Sequence, residues 1–157
     1  MLSLSPDEFQ AWLDGLTNTQ VLAVTLLGEA GIEDTLGRQM VASTILNRVN
    51  IAQAHQARIG APFWWGTDLR SVILKPWQFS CWNPSNPGRL EFHLFTTSPL
   101  WPEAMGIADT AVAGHLSDQT NGADSYLNPK IVKILPPWAI PARQTAQHLD
   151  HIFYSTV

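Results

Sequence analysis

The sequence has a single cysteine, Cys81, among its 157 residues. One thiol rules out an internal disulfide framework and any multi-cysteine zinc site, and a buried, inert side chain is its expected role. His148 and His151 are three residues apart, but neither an HExxH motif nor a third acidic partner accompanies them. The GxSxG motif of a serine nucleophile is also missing. The sequence therefore predicts neither a metal site nor a cofactor.

Charged residues are scarce as well, at 14% of the chain, and the basic ones form no run. The formal net charge is −4 and the isoelectric point is near 5.6. Because binding to nucleic acid relies on clustered Lys and Arg side chains, nucleic acid is excluded as the main ligand. Apolar residues account for 45% of the chain, which indicates a globular protein rather than a disordered one.

Long hydrophobic runs do not occur. No window approaches the ~18 apolar residues of a transmembrane helix, and the N-terminal segment has neither the basic nor the apolar part of a secretory signal. We therefore expect a protein that is made in a cytoplasm and leaves it only with help from another factor. The length of 157 residues fits one domain, 1–157, and we expect a monomer.

Capping signals and apolar periodicity predict a mostly helical chain. Residues 5–8 and 17–20 have the sequence of capping boxes, and caps at Asp34 or Thr35 and at Thr67 begin two further helices. The predicted helices cover about 6–14, 18–30, 36–54, 68–74 and 98–113, and two short strands, 125–128 and 152–155, are expected to pair.

Between residues 57 and 89 the chain changes to a long segment that contains four prolines and four tryptophans. A loop of this length in a compact domain is usually functional, and its aromatic side chains argue against disorder. We predict a mainly α, single-domain fold with long aromatic-rich loops and at most a small β-hairpin. Asn47 and Arg48, late in the third helix, either lie on the surface or point inward as hydrogen-bonding struts.

The second predicted helix carries one carboxylate, Glu29, near its end. On a 3.6-residue period Glu29 lies over Leu22 and beside Leu26, so its side chain shares an apolar stripe. Gly28 and Gly31 flank it, and we interpret them as room for a ligand beside the backbone. Apolar surroundings favour the protonated form of a carboxyl group, which a general acid needs near neutral pH. The alternative is a solvated side chain at the edge of the stripe.

Four blocks of sequence stand in a recognisable order. They are Leu-Gly-Glu-Ala at 27–30, the segment 37–48 that ends in Ile-Leu-Asn-Arg, Val-Ile at 72–73 with Trp-Gln-Phe-Ser-Cys-Trp at 77–82, and Asn-Gly-Ala at 121–123 with Tyr126, closed by His-Ile-Phe-Tyr at 151–154. Through these blocks, which span nearly the whole chain from residue 21, the protein resembles the cell wall hydrolases of the SleB type. That family contains spore-cortex-lytic and phage-associated enzymes that cleave peptidoglycan.

The resemblance implies a lysozyme-like fold, similar to lytic transglycosylases, with Glu29 as the general acid. Glu29 would protonate the glycosidic oxygen between N-acetylmuramic acid and N-acetylglucosamine. A hydrolase that uses water normally needs a second carboxylate, and no spacing imposes one among the candidates Glu33, Asp34, Asp118 and Asp124. A lone acid is compatible with a lytic transglycosylase, in which the 6-hydroxyl of the sugar attacks and leaves an anhydro end.

The resemblance also implies that the block at 78–82 forms the wall of a sugar groove. Gln78 and Ser80 would bond acetamido groups, and Phe79 and Trp82 would offer stacking faces. As an alternative, Phe79, Cys81 and Trp82 are buried anchors of the loop.

Tyr126 is the last predicted substrate-binding residue. Its hydroxyl is expected to lie against the reacting sugar or against Glu29. Many relatives have Thr-His before this tyrosine, whereas this chain has Asp124 and Ser125, which makes the surroundings more acidic and removes any role of that histidine.

We therefore predict an enzyme that cuts the glycan strands of peptidoglycan, as a lytic transglycosylase or, alternatively, as an N-acetylmuramidase. Two further alternatives stay open. One is a non-catalytic peptidoglycan-binding or tail module, and the other is an amidase or peptidase on the stem peptide, for which Cys81 with a nearby histidine is the candidate nucleophile. The N-terminal sequence and the single domain suit a phage endolysin released by a holin, or a virion-borne lysin, that acts on the cell wall.

Overall fold

The computed structural model describes residues 2–157. Its helices are α1 (Pro6–Asp14), α2 (Asn18–Ala30), α3 (Thr35–Ile59), α4 (Leu69–Leu74) and α5 (Trp101–Val112), and its strands are β1 (Ser125–Leu127), β2 (Gln144–His148) and β3 (His151–Tyr154). Segments of 3-10 helix cover Ser80–Trp82, Pro87–Thr97 and Pro141–Arg143. The predicted mainly α architecture is confirmed. Across residues 2–157, none of the helices has the length and hydropathy needed to cross a membrane.

The first two helices begin where the sequence predicts, and each begins with a pair of reciprocal hydrogen bonds between side chains and backbone. At α1, the Ser5 hydroxyl accepts the Glu8 N–H at 3.1 Å, and the Glu8 carboxylate accepts the Ser5 N–H at the same distance. Thr17 and Gln20 repeat this arrangement at α2, at 3.1 and 2.8 Å. Each pair satisfies backbone donors that the first helical turn leaves free.

Some of the later boundaries differ from the prediction. α3 is capped by Asp34 but runs to Ile59 rather than to 54, and it ends at Gly60 in a left-handed conformation. α4 is capped by Asp68 and not by Thr67, because the Asp68 carboxylate accepts a backbone N–H three residues further on. α5 begins at Trp101 and not at 98, since the 3-10 segment Pro87–Thr97 and its capping residue Ser98 come shortly before it.

α2 is the central helix of the fold. It packs against α3, α4, α5 and the 3-10 segments at 80–82 and 87–97. All residues from 21 to 27 are buried, so the helix is enclosed on every side. The sequence predicted burial along one stripe only. A helix that is apolar all round needs this enclosure. In its last turn Gly28 and Glu29 are half-buried, whereas Ala30 is again fully buried.

The three strands form an antiparallel sheet in the order β1-β3-β2. The predicted pairing of β1 with the C-terminal strand is confirmed, and it sets Tyr126 opposite Phe153. β2 was not predicted, so the sheet has one strand more than the expected hairpin. Its register shifts between Gln144 and Ala146, and it has no fully buried face, so its sequence lacks the alternation that marks a half-buried strand.

The sheet is fixed to α3 by two kinds of contact. One is a small apolar cluster of Met40, Ala123 and Phe153. The other is a pair of polar side chains that reach from α3 to the segment before β1. Asn47 donates to the carbonyl of Ala123 at 2.8 Å, and Arg48 donates to the carbonyl of Asp124 at 2.5 Å. The interpretation of Asn47 and Arg48 as inward struts is therefore confirmed.

Candidate active site

Three donors hold the carboxylate of Glu29 at the end of α2. Its Oε1 accepts the hydroxyl of Tyr126 at 2.6 Å. Its Oε2 accepts the backbone N–H of Cys81 at 3.0 Å and the hydroxyl of Ser80 at 3.5 Å. The immediate neighbours of the carboxylate are therefore polar donors, whereas the helical stripe predicted apolar ones. Because the donors come from two separate segments, they fix the direction of the side chain.

Gly28 has a packing role next to Glu29. A Cβ at this position would lie 2.9 Å from the Cβ of Cys81 and 3.2 Å from the ring of Phe92. The 3-10 turn at 80–82 occupies the space that a side chain at Gly28 would need, while Gly28 itself still lines the groove at Glu29. The close approach that glycine permits brings the Cys81 N–H within reach of Glu29.

The protonation states around Glu29 follow from burial. Burial and the negative charge of Glu29 raise the pKa of Tyr126 well above its ordinary value, so the phenol stays a donor. Burial also raises the pKa of the Cys81 thiol, and the negative charge of Glu29 adds to this effect. Since the thiolate is the reactive form of cysteine, Cys81 is not an activated nucleophile. This finding removes the residue on which the amidase alternative depends.

Arg48 lies beneath the other side of the site. Its guanidinium donates to the side-chain oxygen of Gln78 at 3.0 Å and lies 4.9 Å from the ring centroid of Phe79. Burial lowers the pKa of Arg48, while the negative charges of Asp124 and Glu29 oppose this effect. Guanidinium groups keep their charge in proteins. Arg48 therefore fixes the orientation of the Gln78 amide and leaves its N–H groups free for a ligand.

A groove of about 330 Å³ lies in front of Glu29. It brings together four of the predicted site residues as polar groups: Glu29, Gln78, Ser80 and Tyr126. Phe79 contributes to its wall, and the remaining lining comes from the following residues: Gly28, Arg48, Leu127, Asn128, Ile131, Val132 and His151. The combination of an acid, amide donors and an apolar rim suits a polar, uncharged ligand such as a sugar.

The prediction that Phe79 and Trp82 offer stacking faces to a sugar is wrong. Trp82 is 9% exposed, its indole N–H donates to the hydroxyl of Thr25 at 3.0 Å, and its ring packs edge-on against Phe92. Phe79 is 2% exposed, so it cannot offer a ring face to a sugar. The alternative of buried loop anchors is confirmed. The 3-10 turn at 80–82 directs these side chains into the core around α2.

Comparison with known families gives one decisive match. The family model described as Cell Wall Hydrolase matches residues 32–154. The chain belongs to the cell wall hydrolase family. The match begins just after Glu29, so the functional assignment of that residue depends on the site geometry.

The fold of this cell wall hydrolase is also similar to a solved structure, the catalytic domain of the germination-specific lytic transglycosylase SleB from Bacillus anthracis. The TM-score is 0.61 and the identity is 27%, over 90% of this chain and 98% of that one. The resemblance noted in the sequence is confirmed. Comparison with curated proteins gives no match.

His151 is a groove residue to which the sequence analysis gave no role, although it stands in the His-Ile-Phe-Tyr block. It is buried, and its Nδ1 lies 3.8 Å from Oε1 of Glu33. Its ring centroid is 5.2 Å from that of Tyr126. The signal that points to His151 is its place in the His-Ile-Phe-Tyr block. The neighbouring His148 instead bonds Asp34 at 2.8 Å, away from the groove.

The other candidate acids of this cell wall hydrolase have structural partners. Asp34 caps α3, Asp118 accepts the backbone N–H groups of Thr120 and Gly122, and Asp124 is fully buried and accepts the N–H of Thr156. None of these three lines the groove at Glu29. Among residues 2–157, no group of three or more His, Cys, Asp or Glu side chains is arranged to hold a metal ion.

A larger groove, of about 500 Å³, lies between α3 and α5. Its carboxylates are Asp68 and Asp118, and both already accept hydrogen bonds from backbone N–H groups. Hydrogen bonds lower the pKa of Asp68, and the bond from the Ser71 backbone N–H has the largest effect. The two carboxylates therefore have structural roles, Asp68 in the cap of α4 and Asp118 in the turn at 118–122. The smaller groove at Glu29 is therefore the better candidate for catalysis.

Proposed function

We propose that this cell wall hydrolase is an enzyme that cleaves the glycosidic bond between N-acetylmuramic acid and N-acetylglucosamine in peptidoglycan, with Glu29 as the general acid. The observation that carries the proposal is the Glu29 carboxylate, fixed by Tyr126, Cys81 and Ser80 in a groove of polar groups. Family membership and the similarity to a lytic transglycosylase support it.

In the proposed reaction Glu29 acts twice, first as an acid and then as a base. Protonated Glu29 gives its proton to the glycosidic oxygen as the bond from that oxygen to C1 breaks. The carboxylate that results accepts hydrogen bonds from Tyr126 and Cys81, which stabilise the new negative charge. It then takes the proton of the 6-hydroxyl of the same muramic acid, whose oxygen bonds to C1. The products are an anhydro end and a free hydroxyl.

Three other candidate acids are engaged in structural hydrogen bonds, which favours this single-acid mechanism over hydrolysis. A water-using glycosidase with two carboxylates needs the second one opposite the first across the sugar. Asp34, Asp118 and Asp124 lie outside the groove and are held by structural hydrogen bonds.

An N-acetylmuramidase is the second candidate, and one observation favours it. His151 lies in the groove with Glu33 behind its Nδ1. A histidine that is oriented by a carboxylate is able to accept a proton from water.

Mass spectrometry of digested peptidoglycan separates these functions. Anhydro-muramic ends are expected for the lytic transglycosylase. Reducing ends would establish the muramidase instead, free stem peptides would establish an amidase, and an unchanged wall that still binds the protein would establish a binding module.

The proposal extends to the biological setting, in which the enzyme is a phage lysin, either released by a holin or carried in the virion. The compact catalytic domain suits such a role. Proteomics of purified virions and of lysates tests it: the protein is expected in one of the two, and its appearance only in uninfected cells would contradict the phage assignment.

A further inference from the structure

A second groove, of about 320 Å³, lies on the other face of the loop that forms the wall of the active site. Gln78, Phe79 and Ser80 line the groove at Glu29, whereas Trp77 and Trp82, on either side of them, line the second groove. One loop therefore separates two adjacent grooves. The proposed reaction uses the first groove and leaves the second without a role.

Trp77 is the most unusual residue of the second groove. It is 68% exposed, and its φ is 68°. A left-handed φ is unfavourable for a bulky L-residue, and an exposed indole ring gains little from burial. Residues held in such conformations persist where the surrounding structure enforces them, and they cluster at functional sites. The N–H of Trp77 is bonded to the side chain of Asn83 at 3.2 Å, which holds the strained turn.

Two cations converge on the same groove. The chain has only nine Lys and Arg residues and a net charge of −4, yet Lys75 and Arg89 both line this groove. The guanidinium of Arg89 lies 4.8 Å from the ring centroid of Phe9, and its buried Nε has no hydrogen-bond partner in the described part of the chain. Neither cation has an ion-pair partner among the salt bridges found within residues 2–157. Positive charge without a partner, beside an exposed aromatic ring, favours an anionic ligand with an apolar part.

The second groove is next to the groove at Glu29 along the chain. Gln78 lines the groove at Glu29, and Trp77, its neighbour in sequence, lines the second groove. Consecutive Cα atoms are about 3.8 Å apart. An extended peptide of four residues spans up to about 14 Å. A peptide attached to a sugar at Glu29 is therefore long enough to reach the second groove.

We propose that this groove binds the acidic stem peptide carried by the muramic acid residue at the cleavage site. Lys75 and Arg89 pair with the free carboxylates of the peptide, and the Trp77 ring covers its aliphatic parts. The sugars themselves carry no free charge when the lactyl group is amide-linked, so the peptide is the source of the anion. This inference rests on the proposed function, because the substrate must be peptidoglycan.

Calorimetry with the Glu29→Gln variant tests the proposal without cleavage. The probe is a disaccharide-tetrapeptide of peptidoglycan, compared with the same disaccharide lacking the peptide and with a glycerol phosphate oligomer. We expect the peptide to tighten Kd by about 10²–10³-fold, since two charge-assisted hydrogen bonds and one ring contact each contribute about tenfold. Equal Kd values with and without the peptide would overturn the inference, as would stronger binding of the phosphate oligomer. Since binding is measured apart from turnover, failure of the proposed reaction gives a different result, namely binding without cleavage by the unmodified enzyme.

Variants then assign the contacts. In the Glu29→Gln background, Lys75→Gln and Arg89→Gln are each expected to weaken binding of the disaccharide-tetrapeptide by about tenfold and to leave the peptide-free disaccharide unaffected. Arg58→Gln, an exposed cation at the end of α3, is the matched control. If the control weakens binding as much as the two groove variants, the inference is wrong.

Trp77→Asn separates a binding role from a structural one. Asparagine tolerates the left-handed conformation, so the melting temperature is expected to stay the same or rise, while Kd for the disaccharide-tetrapeptide rises by about tenfold. Trp64→Asn is the control, because Trp64 is also exposed, at 59%, and lines none of the three grooves described. A lower melting temperature with unchanged Kd would show that Trp77 serves the fold alone and would overturn its assignment.

Discussion

The helical side and the sheet side of the site contribute to Glu29 in different ways. On the helical side, α2 is enclosed by its neighbours, and the 3-10 turn at 80–82 packs against Gly28. The Cys81 N–H is thereby held beside the carboxylate by the rigid core. On the sheet side, Tyr126 reaches Glu29 from a three-residue strand that depends on α3 for its position.

The difference between the two sides suggests a division of roles. The helical core fixes where the carboxylate lies, and the strands decide which groups face it across the groove, Tyr126 and His151 among them. A change on the helical side is expected to affect folding and catalysis together. A change on the sheet side that keeps its packing is expected to alter catalysis alone.

The largest effect is expected from the residue that both sides share. Glu29→Gln keeps the shape of the side chain and removes the proton donor, so lytic activity should fall by about 10²–10⁴-fold with an unchanged melting temperature. Turbidity clearing of purified walls measures it. Asp109→Asn, an exposed acid on α5, is the control and should behave like the unmodified enzyme. Clearing by folded Glu29→Gln at the normal rate would refute the catalytic assignment.

Tyr126→Phe tests the hydrogen bond from the sheet side. Because the Tyr126 hydroxyl bonds one carboxylate oxygen at 2.6 Å, its removal should lower kcat by about tenfold, the scale of a hydrogen bond to a charged group. Stability should change little, since the ring stays in place. Tyr154→Phe, on β3 and outside the groove, is the matched control. Equal losses in both variants would point to packing of the sheet instead.

His151→Gln distinguishes the two candidate reactions. If Glu29 acts alone, His151 positions the substrate, and kcat/KM should fall by only a few-fold while the anhydro products persist. If His151 and Glu33 activate water, the loss should reach about 10²-fold or more, and reducing-end products should disappear. Muropeptide analysis of this variant and of Glu33→Gln gives the answer. The second outcome would replace the transglycosylase by a muramidase.

Smaller effects on turnover are expected at the acids outside the groove. Asp118→Asn and Asp124→Asn should keep anhydro products and substantial activity per folded molecule. Their cost should appear in stability. It should be about 1–3 kcal/mol for Asp124, which is buried and whose hydrogen-bond donors lose a charged partner, and smaller for Asp118, which is exposed. Chemical denaturation and product analysis measure the two quantities separately. If either variant folds normally but loses about 10²-fold in rate, the single-acid mechanism is wrong.

The smallest effect concerns an ion pair at the edge between the two sides. Hydrogen bonds from the Gly37 N–H and then from His148 lower the pKa of Asp34 below its ordinary value of 3.8. An acid with a lowered folded-state pKa contributes stability above its unfolded value, and that contribution is lost as the pH falls below about 3.8. Asp34→Asn keeps a capping side chain without the charge, so its melting temperature should decline less steeply in acid. If the melting temperatures of the variant and of the unmodified enzyme fall equally as the pH is lowered, the ion pair contributes nothing to stability.

Much of the helical side follows from short stretches of sequence. The capping boxes at Ser5 and Thr17 act over three residues, so they are visible without a structure, and α1 and α2 begin where they predict. The order of the four sequence blocks carries the family resemblance, and that resemblance implies roles for Glu29, Gln78 and Tyr126. These residues do meet in one groove.

The remaining features depend on contacts between distant parts of the chain. Tyr126 and Glu29 are 97 positions apart, and no local pattern determines that their side chains meet. Trp82 is buried because Phe92 and α2 surround it, although its sequence neighbours suit an open groove equally well. The unpredicted strand β2 forms because β3 offers it a partner. Sequence by itself determined the starts of α1 and α2, the family and the catalytic candidate, since these depend on local or recurring patterns. Tertiary structure decided which aromatic side chains are core, because burial is a property of the whole packed molecule.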